Sequence, residues 1–112
     1  MRIDEMEVAV ETGDVGFSGP VVLAFNRHEM PFDRSRGGTS PGETLEGVLA
    51  PRSVAHSVTM HGPEEGEWSI ERLTVTYKAA GDTWTVRFGA ITLDKTMTLD
   101  LWEPPPLPVF DV

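Results

Sequence analysis

Trp68-Ser69-Ile70-Glu71-Arg72-Leu73-Thr74-Val75-Thr76-Tyr77-Lys78 is the stretch that decides the fold class. Its apolar side chains recur at every second position, the period at which an extended chain turns residues to one face. Trp68 and Ile70 occupy even positions, whereas Leu73, Val75 and Tyr77 occupy odd ones. A strand that changes phase part-way holds an extra residue, so a β-bulge is predicted near Glu71-Arg72. Ala80-Gly81-Asp82 follows as a hairpin turn. The chain then returns over 83–88 with Trp84, Val86 and Phe88 inward and Thr83, Thr85 and Arg87 outward.

Working outward, the same period recurs. Met6, Val8 and Val10 share a face opposite Glu7, Ala9 and Glu11, which predicts an antiparallel strand with one dry and one wet side. The run 21–25 is continuously apolar and suits a central strand. Short strands are expected at 44–50, closed by Pro51, and at 53–61, with Val54, His56, Val58 and Met60 on one face. Two more follow at 91–93 and 97–101. Eleven glycines and nine prolines punctuate these runs, and no helical period interrupts them. The expected fold is all-β, an antiparallel β-sandwich or jelly-roll-like barrel of about seven or eight short strands. Trp68, Trp84, Phe25, Phe88 and Val58 are the expected core. One domain covers 1–103, and a proline-rich tail covers 104–112.

The chain has 112 residues and a formal charge of −9. Its carboxylates repel phosphate backbones and anionic lipid, which argues against nucleic-acid and membrane partners. Asp4, Glu5, Glu7, Glu11 and Asp14 crowd the first fifteen or so positions, unlike the basic start and apolar run of a secretory signal. A cytoplasmic location is expected. With no cysteine, thiol catalysis, disulfides and thiolate-bound metals are excluded.

The run 26–43 breaks the alternation and reads as the longest irregular loop. It holds Arg27, Arg34 and Arg36, the densest positive charge in an acidic chain. Two arginines that close can clamp a carboxylate or phosphate. Gly37-Gly38-Thr39-Ser40-Pro41-Gly42 has glycines but neither the lysine nor the following helix of a phosphate-cradling loop. His28 and Met30, two apart on an extended chain, pair the ligand types that suit copper. His56 and Met60 lie too far apart along one strand to join them, at ~13 Å, so no metal or other cofactor is expected. No nucleophile elbow or facing carboxylate pair is present, and no catalytic residue is assigned.

Gly66-Glu67-Trp68-Ser69-Ile70-Glu71-Arg72-Leu73-Thr74-Val75-Thr76, followed by Ala80-Gly81-Asp82, resembles paired strands in bacterial immunoglobulin-like domains. Hairpins rich in Thr and Val share that likeness, and no functional residue is carried over from it.

The function expected is a non-catalytic binding or assembly module. A sheet edge, the 26–43 loop or the tail would hold a protein partner or another copy of the chain. Trp102, Leu107 and Phe110 are the candidate partner contacts. The alternative is a small-ligand binder or enzyme whose pocket lies near His56 and the arginine-rich loop, with His28, Arg34, Arg36 and His56 as ligand contacts.

Overall fold

A computed structural model of the chain describes residues 2–103. They form an all-β sandwich of eleven strands in two antiparallel sheets, with no helix among them. In chain order the strands are β1 (Arg2–Thr12), β2 (Leu23–Phe25), β3 (His28–Met30), β4 (Arg34–Gly37), β5 (Thr44–Leu49) and β6 (Ser53–Val54). These are followed by β7 (Val58–His61), β8 (Glu67–Ala79), β9 (Asp82–Phe88), β10 (Ile91–Asp94) and β11 (Thr98–Asp100).

The large sheet is built around β1. On one side β1 pairs with β8, Met6 opposite Tyr77 and Val10 opposite Leu73. On the other it pairs with β5, then briefly with β6, and β4 adds outside β5. Beyond β8 lie β9 and β10, which pair with successive halves of that strand. The small sheet runs β11-β7-β2-β3. The apolar sides of both sheets enclose one core, in which Trp68, Tyr77, Met6, Leu73 and Leu93 meet Leu23, Phe25, Val58 and Met60. Of the expected core, Phe88 alone is only half-buried.

The bulge falls where the phase change places it. Glu71 and Arg72 are consecutive exposed residues in an otherwise alternating strand. The pairing skips there, with Glu11 opposite Arg72 but Thr12 opposite Ile70. At the same point β8 exchanges its outer neighbour from β9 to β10.

Two expectations change. The 26–43 run is not one irregular loop, because it contains β3 and β4. All four residues of β4 are exposed, so they carry no apolar alternation. The 53–61 run is not one strand either. It splits into β6 in the large sheet and β7 in the small one, and the chain crosses between sheets at 55–57. Val58 and Met60 are buried, but Val54 and His56 are exposed, so His56 does not sit on an apolar strand face.

Asn26 holds that crossing. Its Nδ2 donates to the Val54 carbonyl at 2.7 Å, and its Oδ1 accepts from the N–H groups of His56 at 2.6 Å and Ser57 at 3.1 Å. Asn26 and Arg27 form the two-residue turn between β2 and β3, with φ of 52° and 70°. Positive φ at both positions defines the type I′ hairpin turn, whose twist matches that of the flanking strands.

Buried polar groups on the aromatic residues are met. The Trp68 indole N–H donates to the Thr12 hydroxyl at 3.1 Å. The Trp84 indole N–H donates to the Glu103 carbonyl at 2.9 Å. Phe17 lies on Trp68 with ring centres 5.0 Å apart and closes that end of the core.

Candidate functional site

The outer face of the large sheet is polar and ordered by strand register. One cross-strand row reads Arg36, Glu46, Ala9, Thr74, Arg87, and the next reads Arg34, Val48, Glu7, Thr76, Thr85. Ala9, Val48, Thr74 and Thr76 are short, while Arg34, Arg36, Glu46 and Glu7 are long. Short side chains between long ones leave a groove of about 430 Å³, floored by Ala9, Val48, Thr74 and Thr76.

The charges around this groove are already matched. Arg36 donates through Nε to Glu46 at 2.7 Å, and Arg34 lies 3.8 Å from Glu5. Lys78 reaches both Glu7 at 2.8 Å and Glu5 at 3.6 Å. The hydrogen bond to Glu7, ahead of the attraction of the two carboxylates, holds Lys78 above its ordinary pKa. Such solvated pairs contribute little to stability, so these residues are free to exchange partners. Arg34 and Arg36 keep side-chain exposures of 79% and 82%.

Of the ligand contacts expected from sequence, Arg34 and Arg36 come together on this groove. His28 and His56 do not line it. His56 lies exposed in the crossing, and His28 is exposed at the start of β3. Met30 packs against the core, whereas His28 is exposed. Among the described residues, no group of three or more His, Asp or Glu side chains is placed to hold a metal. Trp102 is half-buried. Its ring stands edge-on to Tyr77 at 5.2 Å and to Trp84 at 6.2 Å. Leu107 and Phe110 lie outside the described residues.

Sequence reasoning missed Glu7, Glu46, Thr74 and Thr76 as groove residues. Each reads as an ordinary outward position of its own strand, and only the pairing of β1 with β5 and β8 brings them side by side. A second groove, about 510 Å³, lies between Phe17, Pro20, Glu29, His61, Glu65 and Lys95. Among the described residues no helix is long and apolar enough to cross a membrane.

Compared with protein-family models, curated proteins and solved structures, the chain matches none.

Proposed function

We propose that this chain is a non-catalytic binding module, cytoplasmic, that captures an extended segment of a partner protein at β4 and the groove beside it. The observation that carries the reading is the position of Arg34 and Arg36. They stand on an edge strand of the large sheet, two residues apart, and both reach the rim of the groove. Side chains two apart on a strand are separated by ~6–7 Å. An extended partner with carboxylates at alternate positions matches that spacing and adds to the edge by strand pairing.

The same arginines disfavour a second copy of β4 as the occupant. An antiparallel β4–β4 pair centred on Ser35 sets Arg34 against Arg36, and opposed like charges destabilise a strand pair. The net charge of −9 repels acidic partners at long range. Screening within ~8 Å at physiological salt leaves the local guanidinium contacts to decide binding.

Panning a displayed library of random peptides against the full chain tests this reading. Enrichment of Asp or Glu at alternate positions is expected, with affinity falling about tenfold or more in the R34E/R36E variant while its melting curve is unchanged. Peptides with no such pattern, or equal binding to R34E/R36E, would defeat the reading. The groove volume also suits a small anionic ligand, since such sites span about 300–1,000 Å³. Thermal-shift screening with small dicarboxylates, using the same variant as control, distinguishes that alternative.

A further inference from the structure

The edges of the two sheets are unequal. Among the described residues β4 pairs only with β5, and its four residues include two arginines. The edge strands β3 and β11 have three residues each, and β10 has four. Short length and charge are the usual means of protecting an edge from pairing with another chain. β9 has neither. It runs seven residues, Asp82–Phe88, and pairs with β8 in unbroken register from Asp82 opposite Ala79 to Phe88 opposite Leu73. It contains no lysine, no proline and no bulge, and its two charges, Asp82 and Arg87, lie towards its ends. Among the described residues its only strand partner is β8.

We infer that β9 is the edge along which a second copy of this chain pairs, antiparallel and about a two-fold axis, so that two large sheets join into one. The register that suits the side chains is centred on Val86. It sets Val86 against its symmetry mate and Trp84 against Phe88 on the inner side. On the outer side it sets Thr85 against Arg87. Apolar residues oppose apolar ones, a hydroxyl opposes a guanidinium, and no like charges meet, which is the pattern that stabilises cross-strand pairs. Phe88 is only half-buried within one copy, and this register sets the second copy's Trp84 opposite it. β4 offers no comparable pairing, for the charge reason already given. Isologous pairing of one patch with itself is also the commonest route to a closed dimer.

The experiment is sedimentation of the full chain from micromolar to millimolar concentration, with circular dichroism and melting as controls for folding. The wild type is expected to reach twice the monomer mass. The T85K variant sets lysine against Arg87 twice and is expected to stay monomeric with its fold intact. The T85K/R87E double variant replaces that repulsion with attraction in the same register and is expected to dimerise again. R34E/R36E, which tests the other edge, is expected to dimerise like the wild type. A wild type that stays monomeric overturns the inference. A folded T85K chain that still dimerises, or a T85K/R87E chain that does not, overturns it equally.

Discussion

The phenol of Tyr77 donates a 2.6 Å hydrogen bond to the main-chain carbonyl of Leu101, in the interior of the sandwich. That bond ties the C-terminal part of β8 to the segment that follows β11. Burial, and then the nearby carboxylates of Asp100 and Glu103, push the Tyr77 phenol well above its ordinary value of 10.0. The neutral form is thus favoured more in the folded chain than in the unfolded one. The associated stability is present below pH 10 and is lost as pH rises from there towards the folded-state value. Because Tyr77 is the only tyrosine, tyrosinate absorbance reports this group alone. Ionisation is expected to coincide with alkaline unfolding. Y77F is expected to lose about 1–3 kcal/mol at neutral pH by stranding the Leu101 carbonyl, and to flatten the alkaline dependence.

Asn26, half-buried, is expected to be a sensitive polar position. N26A removes one donor and one twice-used acceptor from the crossing between β6 and β7. It also leaves alanine at positive φ. A loss of roughly 1–3 kcal/mol in urea unfolding is expected. N26D keeps the acceptor and is expected to lose less.

Arg27 offers the opposite sign. Its φ of 70° is unfavourable for a residue with a Cβ, and glycine is preferred at the second position of a type I′ turn. R27G is expected to stabilise the chain by about 0.5–1 kcal/mol, read as a higher denaturation midpoint with unchanged slope.

Thr12 is the one buried polar residue among those described, at 2% exposure, and it accepts from the fully buried Trp68 indole. T12V fills the same space but leaves the indole N–H without a partner. A loss of about 1–3 kcal/mol is expected, with T12S close to wild type. Equal stability of T12V and T12S would show that the bond is not needed.

Much of the fold was legible because the dry side of each long strand is written in every second residue. Even the bulge was visible, since Trp68 and Ile70 fall out of step with Leu73, Val75 and Tyr77. β4 was not, because an edge strand with no buried residue has nothing to alternate. The division of 53–61 was hidden for a different reason. Val54, His56, Val58 and Met60 keep the strand period across the crossing, and what bends the chain there is the side chain of Asn26, 28 positions before Val54. The groove was legible only in its arginines. Glu46 meets Ala9, and Thr76 meets Glu7, through registers between strands far apart in the chain, and one strand's pattern says nothing about its neighbour's.

The placement of β1 governs how the protein is made. Met6 must wait for Leu49 on one flank and for Tyr77 on the other. A nascent chain therefore leaves the ribosome with its middle strand exposed on both margins until most of the sequence has been translated. Non-local closure of this kind slows folding. The newborn chain's need for chaperone protection is set by the wait for β8, long before the stability of the finished sandwich matters.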